Sequence, residues 1–243
     1  MTKDKMPSLI VQNTWADLRR FTDARIALGR AGMSQPTQAH LNFQLAHALA
    51  RDAVHSALDF TQLANDINEL GYQTLEVHSA AHNRAEYLQR PDLGRQLAAA
   101  SCELLKEASH RQIFSDIVFV ISDGLSASAV QSHAYPLLKQ ILPALKPDGF
   151  TVAPIILAHQ GRVAIADQIA ELLKGRLAII LVGERPGLSA PDSLGIYLTY
   201  DPRVGCNDSE RNCISNIRPA GLGYKEAAYR LRYLIKESLL RQI

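Results

Sequence analysis

Apolar and polar residues change their spacing along the chain, and each spacing predicts an element. Leu177 to Val182 is an unbroken run rich in Ile and Val that stops at Gly183-Glu184-Arg185-Pro186-Gly187. Such a run fits a strand buried on both faces of a parallel sheet. Its abrupt end puts charged side chains at the carboxyl edge of the sheet, where open α/β folds hold their ligands. Asp116 to Ile121 predicts a second buried strand, ended by Ser122-Asp123-Gly124-Leu125-Ser126. Val152 to Leu157 predicts a third, which Pro154 assigns to an edge or a bulge. Thr74 to His78 alternates as a strand does, and Gly195 to Tyr200 and Cys213 to Ile217 are further strand candidates.

Helical spacing fills the intervals. Residues 1 to 12 read as a short tail, and Asn13-Thr14 can cap a helix over Trp15, Leu18, Thr22 and Ile26. Pro36-Thr37 opens a second helix through Phe43, Ala46, Ala50 and Val54, and Asp59 to Leu70 predicts a third. A helix is expected from Arg90-Pro91-Asp92 through Leu93, Leu97, Leu104 and Leu105. Another runs to about Leu145, with Pro136 and Pro143 expected to kink or divide it. Ile165, Ile169, Leu172 and Leu173 mark a helix stopped at Gly175, and Tyr224 to Leu240 closes the chain as an amphipathic helix. The expected fold is therefore α/β: a Rossmann-like, doubly wound, mostly parallel sheet over 71–243, preceded by a small helical N-terminal domain over 1–70 without strand signal.

Composition narrows the function. The 243 residues are 47% apolar and 21% charged, as in soluble globular proteins, and suffice to bury roughly 70–75% of the unfolded surface. A net charge of +2 gives no long-range pull towards nucleic acid or anionic membrane. No apolar stretch approaches the ~20 residues of a membrane span, and MTKDKMPSL lacks a signal peptide's apolar core, so a cytoplasmic protein is expected. Cys102, Cys206 and Cys213 are odd in number and unpaired in spacing, which predicts free thiols.

The loops beginning at Ser122, Gly161 and Gly183 converge in this topology, and each holds glycine, which lets backbone approach a ligand or simply serves turn geometry. No G-x-G-x-x-G fingerprint or P-loop follows any strand, which argues against the usual routes to NAD and ATP. His78 and His82 lack a third ligand nearby, and Gly124-Leu125-Ser126-Ala127-Ser128 is not a hydrolase elbow. Glu184 stands out because a carboxylate at the end of a buried strand needs donors, whether a ligand's or those of a local Arg185 or helix-cap contact. Cys213, with no basic neighbour adjacent, reads as a small buried filler and not as a nucleophile.

Five segments carry a resemblance: YLQRPDLGR (87–95), VISDGLS (120–126), GRV (161–163) with DQI (167–169), LVGERPGL (181–188) and CISNI (213–217). In this order they resemble the small subunit of ethanolamine ammonia-lyase. That resemblance implies a share in the radical conversion of ethanolamine to acetaldehyde and ammonia, with adenosylcobalamin (vitamin B12 coenzyme) as cofactor. It implies a large (β/α)₈-barrel (TIM barrel) subunit that holds the substrate, in a hetero-oligomer where the present chain covers the cofactor from the other side. It carries cobalamin-binding roles to Val163, Glu184 and Cys213, as apolar contact, acceptor and close-packed wall. Replacing Glu184 is then expected to weaken cobalamin and to spare the fold. No D-x-H-x-x-G loop is present, and neither His133 nor His159 approximates one, so the cofactor is expected base-on, with its dimethylbenzimidazole on the cobalt and no metal ligand from this chain. Some members carry an N-terminal extension linked to packaging in a bacterial microcompartment, whereas the N-terminus here is short. A subunit of this kind should expose apolar surface when alone. The rival reading is a stand-alone small-molecule-binding α/β module without lyase activity, which co-purification with a large barrel subunit would separate.

Overall fold

The computed structural model describes residues 9–111 and 115–243. A six-stranded mixed sheet forms its centre: β3 (Thr74–His78), β5 (Ile155–His159), β4 (Ser115–Ser122), β6 (Gly175–Gly183), β7 (Leu194–Tyr200) and β8 (Arg211–Ile217), in that spatial order. The first four are parallel, β7 is antiparallel to β6, and β8 is antiparallel to β7. The run at 177–182 is thus buried on both faces as its composition demands, but its two neighbours run in opposite senses. Burial on both faces selects the apolar run and leaves strand direction to the connections, here a short return from β6 to β7.

Alternate residues of the strands feed two cores. Ile117, Phe119, Ile121, Ile179 and Leu181 face α2 (Phe60–Glu69), α5 (Ala127–Leu145) and α7 (Tyr224–Arg241). Val118, Val120, Ala178, Ile180 and Val182 face α4 (Ala99–Arg111) and α6 (Ile165–Leu172). Successive strand side chains point to opposite faces, so one apolar run fills both cores. The connection from β4 to β5 passes through α5 on one face, and that from β5 to β6 through α6 on the other. The chain thereby steps to opposite sides of β4 and opens a crevice at the carboxyl ends of the strands.

Four expectations change. Over 14–26 there is no α-helix: Ala16–Phe21 is a 3₁₀ turn, and β1 (Ile10–Val11) pairs antiparallel with β2 (Arg30–Ala31), so strands do occur before residue 70. Trp15 and Phe21 are 67% and 73% exposed, so the apolar stripe there has no core to hold it helical. Of the tail expected over 1–12, residues 1–8 lie outside the described residues. The helix expected from Arg90 is broken into α3 (Arg84–Gln89), a 3₁₀ turn at Leu93–Arg95 and α4. Leu97 is drawn out of it to bridge Ser79, and its N–H donates to Gln168 Oε1 at 2.8 Å. β5 lies between β3 and β4, not at an edge, because Pro154 falls just before its first residue, where no ladder bond is lost. α5 runs undivided through Pro136 and Pro143, and burial of ten of its residues against sheet and helices offsets the missing backbone bonds. The helix at 37–54 appears as α1 (Thr37–His55). Among the described residues no helix is long and apolar enough to cross a membrane.

Candidate functional site

The loops after β4, β5 and β6 meet at the carboxyl edge. Leu125 N–H donates to Gly183 O at 2.8 Å, Gly161 N–H to Ser122 Oγ at 2.9 Å, and Gln160 N–H to Asp123 Oδ1 at 2.7 Å. Their glycines are used on one another: a Cβ on Gly124 would strike Gly183 O, and one on Gly183 would strike Ser126 O. Close approach of loop to loop, and not of loop to ligand, is what these two glycines provide. Ser126 caps α5 and donates to Pro191 O at 2.9 Å, which accounts for its place without a nucleophilic role.

Beside the joined loops lies a cleft of about 360 Å³ lined by Tyr87, Leu125, Arg162, Val163, Glu184 and Tyr197. A second depression of about 360 Å³ shares Arg162 and Val163 with it and extends to Arg95, Cys206, Asp208 and Arg211. Val163 and Glu184 are therefore brought together. Cys213 does not line that cleft: it lies on β8 in register with Tyr197, exposed where a buried filler was expected, and within a depression that includes Tyr229 and Tyr233 of α7. Tyr197, which lines the cleft, is hydrogen-bonded through its hydroxyl to the Cys213 sulfur. Burial pushes the Cys213 thiol up, Tyr197 partly offsets this, and Glu184 adds to it. Desolvation likewise raises the Tyr197 phenol to about 12.

Glu184 finds its donors within the chain. Ser193 Oγ donates to Oε2, Ser215 Oγ to Oε1 at 2.6 Å, and Asn216 N–H to Oε2 at 3.2 Å. Arg185 takes no part. A Cβ on Gly195 would lie 2.9 Å from Glu184 Oε1, so the glycine makes room for the carboxylate. The side chain thus ties the end of β6 to β7 and β8 while presenting itself to the cleft. Its removal must affect the fold as well as any ligand, which corrects the expectation that the fold would be spared.

Tyr87, Asp123 and two arginines form a centre that sequence reasoning did not single out. Tyr87 is fully buried, donates to Gly161 O at 3.2 Å, and has the Arg84 and Arg162 guanidiniums 4.9 and 4.4 Å from its ring centroid. Burial raises its phenol to about 12, with the Arg162 charge pulling the other way. Arg84 closes on Asp123 Oδ2 at 3.2 Å, Gly124 O at 2.7 Å and Val54 O at 2.8 Å. Burial pushes Asp123 above the usual carboxylate range, opposed by Arg84. The available signal was an arginine between a loop glycine and an apolar residue in GRV, beside a tyrosine in YLQRPDLGR. His159 is accounted for structurally: it stacks on His78 at 4.2 Å and faces Glu76 Oε2 at 3.2 Å.

The ethanolamine ammonia-lyase light chain family matches residues 12–243. The chain is 54% identical over 241 residues to the ethanolamine ammonia-lyase small subunit of Ralstonia nicotianae, covering 99% of this chain and 89% of that one. It is 53% identical over 232 residues to the protein of the same name from Pseudomonas syringae pv. tomato, covering 95% and 81%. Against that of Pseudomonas aeruginosa it is 49% identical over 244 residues, covering 100% and 89%. A match over sheet, helices and all three cleft-forming loops reaches far beyond one motif, and the chain belongs to the ethanolamine ammonia-lyase light chain family of lyase subunits.

Proposed function

We propose that this small subunit holds adenosylcobalamin, base-on, against a large (β/α)₈-barrel subunit that carries the ethanolamine site. The observation that carries the reading is the crevice at the strand ends, where Glu184 and Val163 share one cleft. The residues present fit the group. Cobalamin offers an apolar macrocycle rimmed by amides, and the cleft sets Val163, Val182 and Leu125 beside polar groups on Glu184, Tyr197 and Arg162. Glu184 accepts three internal bonds, and a carboxylate has about four lone-pair sites, so it can still take one amide donor. Cys213 contributes by fixing the Tyr197 hydroxyl.

When bound, the cofactor supplies the radical chemistry. This chain orients it, closes it off from water on one side and provides neither acid nor base to the substrate. We read 71–243 as a Rossmann-like cobalamin-binding domain and 1–70 as the unit flanking it. Exposed Trp15, Phe21, Met33 and Leu45 in that unit support a partner-facing role. The setting we propose is the cytoplasm, free or within a bacterial microcompartment. The test is reconstitution: the chain alone turns over no ethanolamine, and activity returns with the large subunit and adenosylcobalamin. Turnover by this chain alone, or full cobalamin affinity of the large subunit without it, overturns the reading. Electron paramagnetic resonance of the complex, with nitrogen-15 in the cofactor's base or in protein histidine, checks the base-on state. The splitting should follow the base label.

A further inference from the structure

From the unpaired charge around Arg162 we infer an anion seat in the crevice, built to take a phosphodiester; the inference rests on the cofactor reading and assigns the seat to the phosphodiester of the cofactor's nucleotide tail. Arg162 is placed by backbone and stacking, not by a carboxylate. Its N–H donates to Gly94 O at 2.7 Å, its Nη2 to Tyr87 O at 3.3 Å, and its guanidinium lies 4.4 Å from the Tyr87 ring centroid. Gly94 is part of the seat, since a Cβ there would come within 2.8 Å of Arg162 Cγ and 2.9 Å of the tyrosine ring. Arg162 Nε is buried without a partner, a condition that costs free energy unless something compensates the charge. Arg84, the other guanidinium at the same ring, also has a buried nitrogen without a partner, Nη2, but its charge is met by a carboxylate, Asp123.

The surroundings set the sign and size of the missing charge. Arg95 and Arg185 also line the crevice, and among the described residues neither they nor Arg162 forms an ion pair. Arg211 in the same wall is taken by Asp167 at 2.7 Å. Two further carboxylates face the crevice: Glu184, held by its three donors, and Asp208, 3.4 Å from Arg211 Nε. Three unpaired guanidiniums against these groups leave the crevice with one positive charge in excess, which matches the single negative charge of a phosphodiester. Arginine forks suit phosphate oxygens, and the anion belongs on the Arg95 and Arg162 side, away from Glu184.

The test measures corrinoid affinity for the assembled complex, not turnover. Three probes separate the parts: cobalamin, cobinamide, which lacks the phosphate, ribose and base, and cobinamide phosphate, which keeps the phosphate as a monoester and lacks the ribose and base. Arg162→Gln should weaken cobalamin and cobinamide phosphate roughly tenfold or more and leave cobinamide unchanged, and the difference should shrink with salt. Equal loss on all three probes, or no loss, overturns the assignment. Arg162-dependent capture of inorganic phosphate with no difference between cobalamin and cobinamide also overturns it, in favour of a free-phosphate site. Failure of the parent complex to bind any corrinoid would instead sink the cofactor reading, and the seat's ligand with it. Arg95→Gln, at an exposed side chain, gives the same comparison in a smaller measure should Arg162→Gln fail to fold.

Discussion

Two arginines stand along one crevice and are treated in opposite ways. Arg211 is sealed, its side chain 3% exposed against an Asp167 that is 2% exposed, with Thr199 Oγ1 at 3.0 Å and Cys206 O at 2.9 Å taking further N–H groups. Arg162, which lines the same crevice, stacks on Tyr87 and has no carboxylate. The first arrangement leaves nothing for a ligand to satisfy: it fixes the 206–211 loop to α6. The second leaves charge and donors over. A buried cation with a partner is part of the fold, whereas one without a partner beside a cleft marks where something else binds.

The sharpest way to break this comparison is to strip each arginine's surroundings and ask which change unfolds the protein. Asp167→Ala leaves the buried Arg211 with only the exposed Asp208 carboxylate, 3.4 Å away, and should cost about 3 kcal/mol in urea-induced unfolding. Arg162→Gln removes a charge that has no partner and should cost about 1 kcal/mol or less. If Asp167→Ala is as stable as its parent, the pair at Arg211 does not hold the fold and the contrast fails. The pair is not thereby a net source of stability, because well-packed apolar replacements of both members can be neutral or better.

Glu184 lies between the two cases, since it is both satisfied and on the cleft. Glu184→Ala strands Ser193 Oγ, Ser215 Oγ and Asn216 N–H, and should lower stability by about 1–3 kcal/mol as well as weaken cobalamin in the complex. Glu184→Gln keeps most of the acceptor geometry and should restore more of the stability than of the affinity. Loss of affinity with no loss of stability would show that the three internal bonds count for little.

How much of this was legible beforehand follows from what each signal reports. The apolar runs at 117–121 and 177–182 and the helical stripe at 165–173 report burial, and all three elements stand where they were expected. Burial does not report direction or neighbours, so the antiparallel β6–β7 pairing and the interior place of β5 were not readable. Trp15, Leu18 and Ile26 have helical spacing but no core beneath them, and spacing alone cannot reveal that a stripe faces outward. At the site, Val163 and Glu184 sat next to strand ends and glycine, a strong local signal. Tyr87 and Arg162 are 75 residues apart, so the stack joining them exists only once α3 and the β5 loop meet. Cys213 came with a family motif, yet strand register sets it beside Tyr197, and it is not among the residues lining the cleft.

Tyr87 offers a third test, read by its titration. Its phenol is raised to about 12 by burial against an ordinary value of 10, so the neutral form is favoured on folding. The linked stability is fully present below pH 10 and is lost as pH rises through about 12. Ultraviolet titration should therefore show a late-ionising class that Tyr87→Phe depletes. In Arg162→Gln the Tyr87 step should move higher still, because the cation that opposes burial is gone. A step that stays put would mean the guanidinium is too well screened to act on the ring, and would weaken the case for an uncompensated charge.

The smallest effect is expected at Cys213, and its smallness carries information about where the cleft ends. The side chain is not among those that line the cleft with Val163 and Glu184 and is tied to it through Tyr197, and its thiol is raised by burial, so at neutral pH it is a poor nucleophile. Cys213→Ala removes one weak hydrogen bond to the Tyr197 hydroxyl, and should change stability by about 0.5 kcal/mol or less. Any effect on cobalamin must pass through the freed phenol, so the affinity of the complex should fall by much less than tenfold, the equivalent of about 1.4 kcal/mol. Alkylation of the parent should be slow at neutral pH and should not be blocked by cobalamin. A tenfold loss of affinity in Cys213→Ala, together with protection from alkylation by the cofactor, would place the sulfur against the ligand. The crevice would then have to extend past Tyr197 to β8, with Glu184 near its middle and not at its margin.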